Sequence, residues 1–346
     1  MQDNSRVTGN STTTTLSGIS GIASGGGVFV AHGGGTFIMQ NNAAVYNNTA
    51  HATLMNNFAH GGGVYMGFNT TFVMKDNASV SDNTASISNS SNRAYGGGIF
   101  LAAGWGAIPG ATFTMYGGSI DNNIAIGGAP GGTIFGNARG GGVHVEPAAG
   151  VAQATFTMYG GTISNNTVRG NSIAWGGGVN GITTMHGGTI SGNTAYAHNT
   201  TSSVVVEARG GGVNGALTMH GGAISGNHVR GGTTSGTGIE VTSHGGGMHG
   251  VLTMHGGTIS GNTVSASAGN ISNNLTLRGG GVSVLSPIAF TKTGGTINGN
   301  DGGSPNTVIG SGAQGHAVFE FGLNARWRNA TAGPAMNSDT PGFWEN

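Results

Sequence analysis

Residues 176–194 carry three blocks that recur along the chain: Gly176-Gly177-Gly178-Val179, then Thr183-Thr184-Met185-His186-Gly187-Gly188, then Thr189-Ile190-Ser191-Gly192-Asn193-Thr194. The glycine triplet that precedes an apolar residue begins again at Gly25, Gly61, Gly96, Gly140, Gly210, Gly245 and Gly279, so the triplets of this kind lie 36, 35, 44, 36, 34, 35 and 34 residues apart. A fixed period of this length marks a stacked repeat. Each of these triplets is followed by an apolar residue: Val28, Val64, Ile99, Val143, Val179, Val213, Met248 or Val282.

The short runs alternate apolar and polar residues, the period of a strand with one buried face. Glycine at this density, 73 of 346 residues, opposes helix at ~1 kcal/mol per position. Three short strands per repeat follow, and with them an all-β, right-handed parallel β-helix solenoid of about nine coils with variable side loops. Nine rungs at ~4.8 Å make a rod of roughly 40–45 Å.

Stacking in register turns the alignment into columns. Three point inward: Met39, Met74, Met115, Met158, Met185, Met219 and Met254, ending at Lys292; Val45, Val80, Ile120, Ile163, Ile190, Ile224, Ile259 and Ile297; and one that begins Phe37, Phe72, Phe113, Phe156. A fourth is a structural asparagine ladder: Asn48, Asn83, Asn123, Asn166, Asn193, Asn227, Asn262 and Asn300. An amide both donates and accepts, so stacked asparagines bond along the axis, and asparagine tolerates the left-handed backbone of a turn.

The chain starts within a coil. Met1 aligns with Met39 and Asn10 with Asn48 without a gap, which leads to the expectation of a fragment, with a signal and further coils upstream. The β-helix spans 1–310, and 311–346 form the last coil and a C-terminal cap supplied by Phe319, Phe321, Trp327, Phe343 and Trp344.

The triplet-plus-aliphatic and Ile-Ser-Gly-Asn-Thr blocks resemble repeats of large right-handed parallel β-helix surface proteins of spirochaetes and other host-associated bacteria, of pectate-lyase-like fold. More distantly they are similar to the chlamydial polymorphic outer-membrane proteins. The resemblance covers roughly residues 1–335, including Gly315-His316-Ala317-Val318 and Thr331-Ala332-Gly333-Pro334. The Phe-x-x-Asn motif of the chlamydial repeats does not recur with the triplets here. What the resemblance implies is the fold and an exported, extracellular or cell-surface, adhesin-like role.

Charged residues are 6% and the net charge is zero, which argues against a nucleic-acid partner. There is no cysteine, hence no disulfide framework or cysteine-based zinc site. No apolar run reaches the ~20 residues of a membrane-spanning helix. Many parallel β-helices cleave polysaccharides with clustered carboxylates, but here only Asp82 and Asp121 fall in adjacent coils, offset by one position. The expectation is therefore no enzyme, no catalytic residues, no metal and no cofactor.

The partners expected are an extracellular glycan or a protein surface, with end-to-end self-association as a further mode. A polysaccharide-binding or polysaccharide-degrading protein is the alternative, and the Thr162/Ser164, Thr189/Ser191 and Thr258/Ser260 rows raise an ice-binding solenoid as a third. Candidate ligand-binding residues come from two columns beside the triplet. Before it runs His60, Tyr95, Arg139, Trp175, Arg209, His244, Arg278, alternating ring and guanidinium for cation–π stacking. After it run Phe29, Tyr65 and Phe100, read as an outward aromatic strip that continues as His144, Asn180, Asn214, His249 and Ser283. The segments 49–60, 84–95, 194–209 and 228–244 are expected to be loops that build the binding face. His186, His220 and His255 follow the core methionine in successive coils and read as an exposed planar ladder, with metal sharing as the rival reading.

Overall fold

The computed structural model describes residues 1–337 apart from 16–19, 55, 89–92, 129–135, 149–151, 200–204, 234–239, 269–274, 286–289, 302, 311–313, 322–325 and 332–335. Phe343, Trp344 and the Ala332-Gly333-Pro334 stretch lie outside the described residues. Within them the chain is a parallel β-helix with no α-helix, and so no helix long and apolar enough to cross a membrane.

All three expected strands of each coil are present, with two more after the asparagine and before the glycine triplet. In the second coil they are Ala44–Tyr46, Thr49–Ala52, Phe58–His60, Val64–Met66 and Thr71–Met74. Equivalent strands stack into four sheets. We call them, in that order, the isoleucine sheet, the threonine sheet, the corner sheet and the methionine sheet. The last takes two strands from most coils and a single long one, Val213–Met219 and Met248–Met254, from two.

The inward columns pair as the alignment requires, Met39↔Met74↔Met115 through Met254↔Lys292 and Val45↔Val80↔Ile120 through Ile259↔Ile297. The seven methionines and the eight Val/Ile residues are fully buried. Each contributes ~1.5–3 kcal/mol by leaving water. Lys292 ends its column buried, with Nζ donating to the Gly295 carbonyl.

A second, thinner lobe lies between the threonine and corner sheets. Its column Ala50, Ala85, Ala125, Val168, Ala195 faces Ala59, Ala94, Ala138, Ala174, Ala208. Small side chains are needed because the two sheets close directly on each other. The lobes meet at a waist where the glycine triplet crosses the asparagine ladder. In the triplet 140–142, Gly140 is left-handed at φ 64°. A Cβ on Gly141 would lie 2.4 Å from the Gly177 oxygen, and one on Gly142 3.0 Å from Asn166 Nδ2. No other residue fits any of the three places.

The ladder itself runs the whole length. Asn166 donates its backbone N–H and its Nδ2 to Asn193 Oδ1, each at 2.9 Å, and Nδ2 also to the Ile120 carbonyl at 2.9 Å. Its own Oδ1 accepts two bonds from Asn123 at 3.0 Å. The pattern repeats from Asn10 at one end. At the other it corrects the expected last member. Asn300 is exposed, and Asn262 bonds Asn306 at 2.9 Å instead. After Ile297 the chain takes a detour pinned by Asn298 Nδ2 to the Ser304 carbonyl, and Asn306 is followed by Thr307-Val308, which supplies the next threonine-sheet strand.

A second correction concerns the turn. The left-handed residue is not the ladder asparagine but the one before it: Gly9, Asn47, Asp82, Asn122, Asn165, Gly192, Gly226 and Gly261 all have φ between 54° and 71°. The ladder residue is thus free to bond and the preceding one to turn. At the C-terminal end Val318–Glu320 pairs antiparallel with Arg326–Arg328, and Phe290–Lys292 with Met336–Asn337. These reversed strands pair along the last open edge of the methionine sheet.

Adjacent asparagines should therefore respond differently. Asn166→Ala removes four hydrogen bonds and strands buried partners, and should cost about 3 kcal/mol or more. Asn165→Gly, the residue later coils use, should change stability by less than about 1 kcal/mol. Urea unfolding followed by far-UV circular dichroism measures both; equal losses would refute the division of roles.

Candidate functional site

The triplet bends the chain so that the corner sheet and the first strands of the methionine sheet meet at a re-entrant angle. The two columns that flank the triplet face each other across it. Their register is Tyr95↔Arg139↔Trp175↔Arg209↔His244↔Arg278 and Tyr65↔Phe100↔His144↔Asn180↔Asn214↔His249.

The expected cation–π ladder is present from Tyr95 to Arg209, while Arg278 turns to a ring outside the column. Arg139 lies 5.5 Å over the Tyr95 ring and 4.1 Å over Trp175, Arg209 lies 5.2 Å over Trp175, and Arg278 lies 4.5 Å over Phe319. The aromatic strip, however, is not an outward surface. Phe29 is exposed, but Tyr65 is 9% and Phe100 1% accessible. His60 stacks on Phe100 at 4.2 Å, and Tyr95 on His144 at 4.5 Å. Tyr95 and His244 are buried with them, so neither offers a ligand a face. Arg139, Trp175, Arg209 and Arg278 are half-buried. As ligand-binding residues Tyr65, Phe100, Tyr95 and His244 are thus corrected: each column covers the other.

The corner also gathers buried polar atoms. Asn214 Nδ2 donates to Asn180 Oδ1 at 2.8 Å, and Asn180 Nδ2 donates to His144 Nδ1 at 3.1 Å. His144 Nδ1 is then the acceptor and Nε2 carries the proton. His60 Nε2, His144 Nε2 and both ring nitrogens of His244 and His249 are buried without a hydrogen-bond partner. Burial drives the imidazoles down, His60 and His244 to about 3, the latter aided by the Arg209 and Arg278 charges. His144 and His249 fall well below the ordinary value, burial again leading. Arg209 is paired with Glu207.

Outside the corner, two exposed arrangements stand out. On the methionine sheet Tyr116, Tyr159, His186, His220 and His255 stack in register, with centroids 5.2, 4.7, 4.7 and 5.0 Å apart and planes within 18°. All five are exposed, so the planar ladder expected at the histidines extends through the tyrosines. Parallel imidazole planes do not converge on one point, and among the described residues no three His, Asp or Glu side chains form a metal-ligand set. Beside the rings run Thr114, Thr157, Thr184, Thr218, Thr253 and Thr291, one per coil. Sequence reading passed over this row, although it is legible as the residue before each core methionine.

On the threonine sheet Arg169, Tyr196 and Arg230 are register partners. Arg230 lies 5.6 Å over the Tyr196 ring. These were also missed, because 194–209 and 228–244 were expected to be loops; their first parts are the strands Thr194–Asn199 and His228–Thr233. The segments 49–60 and 84–95 likewise contain strands at both ends.

Asp82 sits in a left-handed turn, while Asp121 pairs with Ser81 and accepts from Asn122. The two carboxylates therefore come from different positions of the coil, as their offset predicts. The Thr162, Thr189, Thr258 row is in register but broken by Ala223.

No protein family, curated protein or solved structure matches this chain. The likeness to spirochaete and chlamydial surface proteins is thus a resemblance of repeat motifs and shows no family membership.

Two stability predictions follow from the corner. Trp175→Ala should cost about 2–4 kcal/mol, since it empties the space between two guanidiniums; an unchanged melting temperature would show that the ladder carries no stability. The second is acid sensitivity. His60, His144, His244 and His249 are held neutral in the fold but take a proton near pH 6.5 once released, so the unfolded chain binds more protons between pH 6.5 and about 3. Stability should be fully present above pH 6.5 and fall as pH drops, by up to about 1.4 kcal/mol per histidine per pH unit. Melting temperatures from pH 7.5 to 4.5 check this; a flat profile would contradict it.

Proposed function

We propose that this chain is a non-catalytic rod for adhesion or extracellular assembly, acting outside the cell or at its surface, and that the ring-and-threonine face of the methionine sheet is its contact surface. The observation that carries the reading is the stack of five exposed rings. Tyr116 is 57% and Tyr159 48% accessible, while Met115 and Met158, the residues before them, are fully buried. At ~4.8 Å per coil the strip is about 20 Å long, enough to meet an extended partner along the rod axis.

The chemistry suits contact more than turnover. Tyrosine offers a large apolar face with a polar tip, a combination favoured at interfaces. The adjoining threonine row adds a hydroxyl at every coil. Because each ring is already held by its neighbours, little side-chain freedom remains to be lost on binding.

The strip can be removed without touching the core. A Tyr116→Ser, Tyr159→Ser, His220→Ser variant should keep its melting temperature within a few degrees. It should lose at least tenfold in binding to whichever immobilised cell-surface protein or glycan the unaltered chain captures, or in self-association followed by sedimentation velocity. Unchanged binding and self-association in the variant would overturn the assignment of this face.

A further inference from the structure

We propose that the outer face of the threonine sheet holds a separate binding site for an anionic glycan, with Arg169 and Arg230 each pairing a carboxylate or sulfate and Tyr196 supporting the sugar ring between them. This goes beyond the contact strip, which lies on another sheet and uses other residues.

The site is concave. An open cleft of about 650 Å³ is lined by Arg169, Tyr196, His228, Arg230 and neighbouring threonines. A second cleft of about 220 Å³, floored by Gly127, Gly128 and Gly170, adjoins it at Arg169 and Tyr196. The two guanidiniums are two coils apart, ~10 Å at the strand spacing, a length comparable to a disaccharide repeat. Their order is guanidinium, ring, guanidinium, so an acidic sugar on either side of Tyr196 meets a planar fork suited to bidentate pairing with an anion.

The charge on this face is uncompensated. Among the described residues the ion pair formed is that of Glu207 with Arg209 on the corner sheet, and neither Arg169 nor Arg230 takes part in one. Both are exposed. Burial first, and the Arg230 charge second, hold His198 and His228 below the ordinary imidazole range. Thr167 and Thr194 lie in the adjacent column, in register with His228 and Thr263, and present hydroxyls at the height of the sugar's own. A nucleic acid is the poorer fit, because its affinity comes from neutralising many phosphates, whereas this face offers two guanidiniums on a chain of zero net charge.

The test uses the full chain and a panel of defined hexasaccharides, uronate-containing, sulfated and neutral, with duplex oligonucleotide and polyglutamate as competitors, read by isothermal titration. The chain should bind uronate or sulfated members and not the neutral ones. Arg169→Gln with Arg230→Gln should weaken that binding at least tenfold, and Tyr196→Ala severalfold, all at unchanged melting temperature because the three side chains lie outside the core. The Tyr116/Tyr159/His220 variant should bind these saccharides as the unaltered chain does, which separates this site from the contact strip. No binding to any anionic saccharide, equal binding by the double arginine variant, or tighter binding of oligonucleotide or polyglutamate would each overturn the proposal. None of those outcomes would bear on the ring strip.

Discussion

Everything in this fold depends on the backbone of the glycine triplet passing directly over the asparagine ladder. There the two lobes of the coil touch, with no side chain between the triplet and the amides it crosses. At Asn166, as along the middle of the ladder, the side-chain oxygen accepts two bonds from the coil before it, and the amide nitrogen gives one to the ladder and one to a carbonyl. Buried amides are costly when unpaired and strongly held when fully paired. A ladder that satisfies itself along the axis therefore fixes the distance between coils, and the triplet fixes the distance across them.

The waist determines both lobes. On one side it leaves room for methionine, isoleucine and phenylalanine columns; on the other it forces the sheets so close that alanine and valine are what fits. It also creates the re-entrant corner. The residues just before and just after the triplet must then share one concave space, and that is why rings, imidazoles and guanidiniums interleave there.

This geometry explains what could be read from the residues and what could not. The core columns were legible because a period of two within strands and a period of about 35 between coils both leave their mark on identity, Met115, Met158 and Met185 being one example. The expected ring–guanidinium contacts were legible for the same reason. The burial of Tyr65 and Phe100 was not, since alternation tells which side of a strand a residue takes and not whether another sheet folds over that side. Asn300 misled because Thr296-Ile297-Asn298-Gly299-Asn300 copies the repeat block while the chain detours to Asn306. Tyr196 and Arg230 escaped notice because they follow the ladder asparagine, where polar, threonine-rich sequence reads as loop although its register to neighbouring coils makes it strand.

An in-register solenoid also restricts where charge can appear. A side chain placed in a column meets its equivalents ~4.8 Å above and below, so like charges in consecutive coils repel at short range. The chain places its guanidiniums in columns only with a ring between them: Arg139, Trp175, Arg209 at the corner, and Arg169, Tyr196, Arg230 on the threonine sheet. At the corner the facing column closes over the stack and Glu207 pairs Arg209, so the arrangement is spent on holding the angle. On the threonine sheet Arg169 and Arg230 are exposed among the described residues. The same stacking rule thus yields a structural element where the surface is concave and covered, and a site with unused charge where it is open.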